Sequence, residues 1–269
     1  MNLIIALDLE SLQENLVLIK TLDSIKSSHT KIWVKIGLRA FVRDGIAGIE
    51  AIKKACDFPI FLDLKLYDIP NTMADAVQEC AKIGIDMLTI HASAGKRAMQ
   101  EIMARLEMLD SSRDSNQCKQ NSKNKNNTSS NIKKPLIMAV SALTSFSEEE
   151  FSEVYHKEIA TSVMDFAKMS ANSNINGMVC SVQECALIKK AYPNLLTLTP
   201  AIRPKIQQDF SHKDSKKDSK DDQRRVASIQ DAYNAGADFI VIGRSIYRAS
   251  SPQNALQSIL SQMQNLSNA

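Results

Sequence analysis

The sequence predicts an α/β protein that folds as one (β/α)8 (TIM) barrel over residues 1–269. Eight short apolar runs recur along the chain, and a longer amphipathic segment follows each of them. Nearly continuous hydrophobicity is typical of parallel strands that are covered on both faces. A doubly wound open sheet has the same local alternation, but eight such units in a chain of this length favour the barrel.

The eight predicted strands are the short apolar runs. They cover residues 3–8, 32–37, 59–65, 86–92, 135–141, 177–181, 195–200 and 238–243. The segments between them carry helix signals. Ser11 can cap a helix that has Glu14 three residues on, and Pro70 suits the first turn of a helix that would end at Gly84.

Two polar segments interrupt the alternation. Residues 111–134 are rich in Asn, Ser and Lys, and residues 205–222 contain the tetrapeptide KDSK twice. Both lack the apolar residues needed to join a core, so we expect low-complexity loop insertions. The first would lie at the amino-terminal face of the barrel, and the second follows the seventh strand on the face where barrel chemistry occurs.

Composition and net charge limit the kinds of protein that the chain can be. The net charge of +3 and the isoelectric point of about 8.5 argue neither for nor against nucleic acid and leave small anionic substrates open. Five cysteines without a CxxC or CxxH pair indicate reduced thiols rather than disulfides or a zinc site. There is no basic leader, and no run approaches the ~18 apolar residues of a membrane span. We expect a soluble cytoplasmic protein that does not enter a membrane.

The stretch DLKLYDIPNT, residues 63–72, places charges at the end of the third strand. Residues two apart share a strand face, so Asp63 and Lys65 should both point into the barrel while the leucines between and before them face the helices. Asp68 follows in the loop, and Lys35 stands alone among apolar residues of the second strand. Together the four charges sum to zero, which makes an alternating network tolerable. An ion-pair network that only fills the barrel is the structural alternative, but four charges at strand ends favour function.

A phosphate site is predicted beyond strands seven and eight. Arg203 follows the seventh strand, and Gly243 and Arg244 follow the eighth. Barrels of this class often bind phosphate in these two loops. Glycine allows backbone N–H groups to approach an oxyanion, and arginine can donate two hydrogen bonds to phosphate. Arg203 alone could equally be a solvated loop residue.

These motifs resemble those of the orotidine 5′-phosphate decarboxylase family in its bacterial-like type 1 form. DLKLYDIPNT is similar to the family's DxKxxD-IPNT signature, and the resemblance continues in order through IALD, VKIG, TIHASAG, AVSALTS, LTPAIRP, DDQRR and VIGRS. It covers nearly the whole chain except the two polar insertions. It implies decarboxylation of orotidine 5′-phosphate to UMP, the last step of UMP biosynthesis, without metal or organic cofactor. It also implies a homodimer with no nucleic-acid partner.

The resemblance implies a role for each charged residue of the network. Lys65 would stabilise the carbanion at C6 of the pyrimidine and then protonate it. Asp63 would hold Lys65, destabilise the bound substrate, or do both. Asp68 would reach the neighbouring subunit's site, and Lys35 would orient Asp63 and contact the ribose.

Further substrate contacts are implied by the same resemblance. Asp8 would meet the ribose or the ring, although a strand-end acid can also cap the next helix. The remaining contacts would be Thr72, from the IPNT extension, Ser141 at the pyrimidine edge, Thr144 near the ring, and Gln223 at the phosphate together with Arg203, Gly243 and Arg244. Serine and threonine also cap helices and turns in any protein.

Other features of the sequence receive no role in catalysis. His91 is interpreted as a structural residue at the end of a strand, and Arg224 and Arg225 as surface charges. Ala201 stands where the family usually has glycine, so a positive φ at this position would strain it.

Two rival functions remain open at this point. A metal-dependent sugar-phosphate decarboxylase or aldolase of the 3-keto-gulonate-phosphate type shares DxKxxD, but it would require a further acid after strand two, where Lys35 stands. A catalytically dead barrel that serves as a nucleotide-binding scaffold is the second rival, and the intact Asp63, Lys65 and Asp68 argue against it.

Overall fold

Eight parallel strands close into a barrel in the order of the chain, in a computed structural model that describes residues 1–25, 27–117, 133–204 and 225–268. The strands are β1 (Asn2–Ala6), β2 (Ile32–Gly37), β3 (Ile60–Leu66), β4 (Met87–His91), β5 (Leu136–Val140), β6 (Gly177–Val179), β7 (Leu196–Thr199) and β8 (Phe239–Ile242). Each predicted strand is confirmed to within two residues at both ends, and the barrel rather than the open sheet is confirmed.

The first and last strands close the barrel. β1 pairs with β8 in parallel, with Leu3 opposite Ile240 and Ile5 opposite Ile242. The N–H of Asn2 donates to the carbonyl of Asp238 over 2.7 Å at the start of this pairing. Sequence-distant residues therefore complete the hydrogen bonding of the sheet, and neither strand has a free edge.

Helices surround the barrel between consecutive strands. They are α1 (Leu12–Asp23), α2 (Leu38–Ala55), α3 (Pro70–Ile83), α4 (Lys96–Gln117), α5 (Glu148–Tyr155), α6 (Ile159–Ala171), α7 (Val182–Ala191), α8 (Ile229–Asn234), α9 (Arg244–Tyr247) and α10 (Pro252–Asn268), with a 3₁₀ turn at Ala92–Ala94. Within the described ranges, no helix is both long and apolar enough to cross a membrane.

The predicted helix ends are confirmed where their signals were strongest. The Ser11 hydroxyl accepts from the N–H of Glu14, and the Glu14 carboxylate accepts from the N–H of Ser11, which forms a capping box. Pro70 is the first residue of α3, and Gly84 ends that helix with a φ of +77°. These local signals depend on a few neighbouring residues, which is why the sequence alone predicts them.

The boundary of the first polar insertion differs from its prediction. α4 continues to Gln117, so the first seven residues of the predicted loop 111–134 are helical. A helix that has already formed gains one hydrogen bond for each added residue, and this favours its extension into a polar segment. Residues 118–132 of this insertion and 205–224, which include the second insertion, lie outside the described residues.

Two apolar layers form the core. The larger layer lies between the strands and the helices, and the smaller one fills the barrel interior. In the interior, Trp33 packs edge-to-face against Phe239 at 5.5 Å between ring centroids. Trp33 and its neighbours thus fill the barrel interior with side chains. The four cysteines of the described part of the chain are free thiols.

Candidate active site

A pocket of about 300 Å³ opens among the carboxyl ends of the strands. Eight of the predicted site residues line it: Asp8, Lys35, Asp63, Lys65, Thr144, Arg203, Gly243 and Arg244. They come from six segments of the chain, spread from Asp8 to Arg244, and the barrel brings these segments together. Enzymes with this fold place their active sites at this end of the barrel.

Four charged side chains of the pocket form a chain of alternating sign. Lys65 Nζ donates to Asp63 Oδ1 over 2.8 Å. Lys35 Nζ lies 3.7 Å from Asp63 Oδ2 and 3.5 Å from Asp8 Oδ1. The order is therefore Asp8, Lys35, Asp63, Lys65, and the formal charges cancel. We call these four residues the charge network.

The fourth member of the network differs from the sequence prediction. The sequence pattern groups Asp68 with Lys35, Asp63 and Lys65, but within the described part of this chain Asp8 is the second carboxylate that contacts Lys35. Asp68 is exposed, and its carboxylate accepts from the N–H of Ile69 over 2.7 Å. Strand pairing explains the difference, because Ala6 lies opposite Lys35 and brings Asp8 close to the ammonium group.

Asp63 stays ionised at the centre of the network. Burial by itself would raise the pKa of this carboxyl group, but the ammonium groups of Lys35 and Lys65 lower it below its ordinary value. Hydrogen bonds from Lys65 and Thr89 add to the lowering of the pKa. A fixed carboxylate therefore lies beside an ammonium group that is 36% exposed to the pocket, whereas Lys35 is only 12% exposed. Both lysines line the pocket, and Lys65 is the more accessible of the two to a ligand.

Strand β3 reaches this arrangement by an irregular path. Leu62 pairs with Leu88 and Leu66 with Ile90, so four steps along β3 match two along β4. Lys65 lies within this bulge and has a φ of +52°, which costs a residue with a side chain about 1–3 kcal/mol. The predicted common direction of Asp63 and Lys65 is confirmed by their contact, but the regular alternation from which it was predicted is wrong.

His91 fits the structural role predicted for it. Its ring lies at the end of β4 and packs against Tyr67, with 5.6 Å between the ring centroids. Burial lowers the pKa of His91, and the Lys65 ammonium lowers it further, against the opposing effect of Asp63. The ring is therefore neutral at pH 7 and adds no charge to the network.

Two arginines lie on the side of the pocket formed by β7 and β8. Arg203 follows β7, which is opposite β3 in the eight-strand barrel, and Arg244 begins α9 directly after β8. Between β8 and α9 stands Gly243, where a Cβ atom would lie 3.1 Å from the Cβ of Ala6. The glycine thus lets the end of β8 pack closely against β1, with a cationic guanidinium next to it.

Three predicted substrate contacts do not line this pocket. Ser141 lies between two lining residues, and its hydroxyl donates to the carbonyl of Val179 over 2.8 Å. Asp68 and Thr72 are exposed near the start of α3. Gln223 lies outside the described residues. The substrate contacts of these four residues, and of the eight residues that line the pocket, stay predictions.

Some residues of the site were not predicted from the sequence. Tyr247 lines the pocket one helical turn after Gly243, and burial, followed by the Asp8 carboxylate, raises the pKa of its phenol. Its position shortly after the VIGRS motif was the available signal. Thr89 of β4 bonds to Asp63, and its only sequence signal was a hydroxyl among apolar strand residues.

Arg225 is not the surface charge that the sequence predicted. Its side chain is only 11% exposed, and its guanidinium pairs with the buried carboxylate of Glu184, at the start of α7. It also donates to the carbonyls of Ala142 and Leu143, at 3.5 Å each, in the loop that follows β5. The segment after β7 is thus tied to the β5 loop, which lines the pocket. The polar residues around Arg225 in the sequence suggest an exposed side chain. Its partner Glu184 is forty-one residues away, so the local sequence does not reveal the pairing.

Ala201 has the positive φ that its sequence position suggested. Its φ is +64°, and it lies buried between β7 and Arg203. The carbonyl of Ala201 accepts from the N–H of Ala227 over 3.3 Å, and Arg203 N–H donates to the carbonyl of Ala227 over 2.9 Å. These bonds hold the loop in a conformation that an alanine disfavours.

Ala201→Gly is expected to stabilise the fold by about 0.5–1 kcal/mol. The left-handed conformation costs alanine about 1–2 kcal/mol, of which the greater freedom of glycine in the unfolded chain offsets about 0.4–1 kcal/mol. Denaturant unfolding followed by the fluorescence of Trp33, the single tryptophan, measures the change. Ala104→Gly, on the exposed face of α4, is the control and should destabilise by about 0.5–1 kcal/mol. A loss of stability in both variants would contradict the assignment of strain at Ala201.

Comparisons with known proteins identify the family to which the chain is similar. Residues 1–259 match the family model described as "Orotidine 5'-phosphate decarboxylase / HUMPS family". The orotidine 5′-phosphate decarboxylase of Campylobacter jejuni subsp. doylei is 46% identical over 264 residues, which cover 98% of this chain and 100% of that protein. The protein of that name from Campylobacter lari is 47% identical over 261 residues, covering 97% of this chain and 98% of that protein.

A solved structure resembles the whole fold. The crystal structure of orotidine 5′-phosphate decarboxylase from Lactobacillus acidophilus has a TM-score of 0.71 at 27% identity, and the match covers 100% of this chain and 99% of that one. The family resemblance seen in the motifs is therefore confirmed over almost the full sequence. From these matches, the chain belongs to the orotidine 5′-phosphate decarboxylase / HUMPS family.

Proposed function

We propose that the chain is a cytoplasmic enzyme that decarboxylates orotidine 5′-phosphate (OMP) to UMP, without a metal or organic cofactor. The charge network carries this proposal, because it holds the exposed ammonium of Lys65 against the fixed carboxylate of Asp63. The names of relatives at close to half identity over nearly the whole chain support the same reaction.

The reaction is difficult because of where its electrons go. When the bond between C6 and the carboxylate carbon breaks, the electron pair stays on C6 in the plane of the ring, where the π system cannot accept it. CO2 leaves, and a proton must then reach C6. An ammonium group placed at C6 stabilises the negative charge as it forms and supplies that proton. Lys65 would do both, and water would then return a proton to the lysine.

Asp63 would hold Lys65 in place. Its Oδ1 accepts a 2.8 Å hydrogen bond from Lys65 Nζ, and its Oδ2 lies 3.7 Å from Lys35 Nζ. Because these contacts already fix the carboxylate, little reorganisation is needed during the reaction. The close approach of Asp63 to the carboxylate of the substrate would also favour departure of that carboxylate as CO2.

The rest of the nucleotide would be held by residues around the pocket. Lys35 and Asp8 would contact the ribose, and Ser141 and Thr144 would contact the pyrimidine. Arg203, Gly243 and Arg244, with Gln223, would bind the phosphate. Two arginines follow β7 and β8, whereas the lysine lies on β3. This separation supports an orientation in which phosphate binding and decarboxylation occur at different ends of one pocket.

We also propose that the enzyme is a homodimer in which Asp68 and Thr72 complete the partner's site. Both are exposed and contribute nothing to the lining of their own pocket. Large apolar side chains nearby are exposed as well: Leu38, Val42 and Ile46 on α2, and Tyr67 and Ile69 beside Asp68. Since β2 and β3 are adjacent, these residues follow neighbouring strands at the face that carries the pocket. A second copy of the chain would cover them and bring Asp68 to a ligand.

Mixing two inactive variants tests the shared site. Lys65→Ala and Asp68→Ala should each be inactive, yet mixed dimers contain one site in which both residues are intact. After denaturation and refolding of an equal mixture, about a quarter of wild-type activity is expected from statistical pairing. Turnover of OMP and light scattering of the mixture measure the activity and the mass. A mixture that stays inactive although dimers form would show that Asp68 serves its own chain's site.

The proposed reaction is tested on the purified chain with OMP. Loss of OMP absorbance with formation of UMP, unchanged by a chelator, is the expected result. Activity that falls on chelation and returns with a divalent metal would favour the metal-dependent sugar-phosphate enzymes of the same superfamily. Binding of UMP without turnover of OMP would favour a nucleotide-binding scaffold.

A further inference from the structure

Thr89 lies where the regular pairing of β3 with β4 is interrupted. Its side chain is fully buried. Its hydroxyl accepts from the backbone N–H of Lys65 over 2.9 Å and donates to Asp63 Oδ1 over 2.9 Å. A single hydroxyl thus bonds to the backbone of one residue of the charge network and to the side chain of another.

The bond to Lys65 falls within the bulge of β3. Between the pairs Leu62–Leu88 and Leu66–Ile90, the two strands lose their register, and the backbone N–H of Lys65 turns to the Thr89 hydroxyl. In this part of β3, Lys65 has its positive φ. A residue with a side chain keeps such a conformation only where its surroundings hold it there.

The bond to Asp63 fixes the other half of the contact. Asp63 Oδ1 accepts from both Lys65 Nζ and Thr89, while Oδ2 faces Lys35. A carboxylate held at both oxygens has little freedom to rotate, so its direction sets the position of the Lys65 ammonium.

We propose that Thr89 is a positioning residue that holds Lys65 and Asp63 in their reactive arrangement. The Thr89 hydroxyl donates to the Asp63 carboxylate and accepts from the backbone N–H of Lys65, and a hydroxyl can do both at once. This proposal rests on the proposed function, because it assigns to Thr89 a part in the decarboxylation step. Thr89 does not line the pocket, so it would act only through Lys65 and Asp63.

Two substitutions separate the hydroxyl from the volume of the side chain. Thr89→Val keeps the shape and removes both hydrogen bonds, whereas Thr89→Ser keeps the hydroxyl and removes a methyl group. For OMP we expect Thr89→Val to lower kcat by about 30-fold or more, with KM and UMP affinity within about three-fold of wild type. Thr89→Ser should keep kcat within about five-fold of wild type.

Thr197→Val is the matched control. Thr197 is also a fully buried strand threonine, but its hydroxyl bonds to Asp238 and it does not line the pocket. This variant should be less stable than wild type with an unchanged kcat. Thermal unfolding followed by Trp33 fluorescence shows that each variant is folded.

Crystal structures of Thr89→Val and wild type test the proposal independently of activity. We expect the variant to lose the positive φ of Lys65 or the hydrogen bond between Lys65 and Asp63. A folded variant that keeps both, or that keeps kcat within three-fold of wild type, would overturn the proposal. Equal losses of kcat in the valine and serine variants would overturn it as well. A wild-type chain without activity on OMP would instead refute the proposed function, and the crystal structures would still decide whether Thr89 holds Lys65.

Discussion

Lys65→Ala is expected to lower kcat for OMP by more than about 10⁴-fold, a loss of roughly 5.5 kcal/mol of transition-state stabilisation. The substitution removes the cation nearest the proposed carbanion and the proton that C6 must receive. It also removes the ammonium group that bonds to the Asp63 carboxylate over 2.8 Å. Negative charge forming at C6 would then lie near a carboxylate that has lost this cation. Single-turnover measurement of UMP formation gives the rate, and titration with UMP gives the affinity.

UMP affinity in Lys65→Ala should change by less than about ten-fold, because the proposed phosphate contacts lie near β7 and β8. Lys82→Ala is the control for loss of a lysine. Lys82 pairs with Glu79 on the exposed face of α3, where an ion pair contributes little, so its removal should leave kcat unchanged. Retention of a tenth of wild-type activity in Lys65→Ala would refute the assignment of Lys65.

Arg244→Ala is expected to lower kcat/KM for OMP by about 10²-fold, mostly through a higher KM. A guanidinium bound to phosphate forms charge-assisted hydrogen bonds worth about 1.5–3 kcal/mol each, and this variant loses them. Steady-state kinetics with OMP and with the nucleoside orotidine measure the effect. Because orotidine has no phosphate, wild type and variant should differ by less than about three-fold on it.

Activity on orotidine also distinguishes phosphate binding by Arg244 from a purely structural role of this residue. If Arg244→Ala lost equal activity on OMP and orotidine, Arg244 would act by shaping the pocket and not by binding phosphate. Arg248→Ala provides the matched control, since Arg248 is an exposed arginine at the end of the same short helix and does not line the pocket. Its substitution should leave kcat/KM for both substrates unchanged.

Much of the fold could be predicted because its signals are local. Each strand is a short apolar run, and the helix ends at Ser11, Pro70 and Gly84 depend on residues within one turn. The position of Lys35 and Asp63 at one end of the barrel follows from the same local pattern, because carboxyl ends of parallel strands meet there. Their contact in the structure confirms that prediction.

The parts that sequence did not predict depend on pairing between distant segments. Asp8 pairs with Lys35 because β1 and β2 are in register, and Arg225 is largely covered because it pairs with Glu184 on α7. The bulge at Lys65 needs a partner on β4 that breaks regular alternation. The residues of one strand do not show which distant segment will pair with it. A charged residue that will be buried by such pairing therefore cannot be distinguished in the sequence from one that stays exposed.

Closure of the barrel between β1 and β8 has a consequence for synthesis of the chain. Asn2 and Asp238 are separated by 236 residues, yet they bond to each other where the sheet closes. At a translation rate of about 5–20 residues per second, β1 waits roughly 10–50 s for its partner. During that time its hydrogen-bonding edge is open to other strands, including those of neighbouring nascent chains. Folding yield in the cell therefore depends on how well the first strands are protected until the last one emerges from the ribosome.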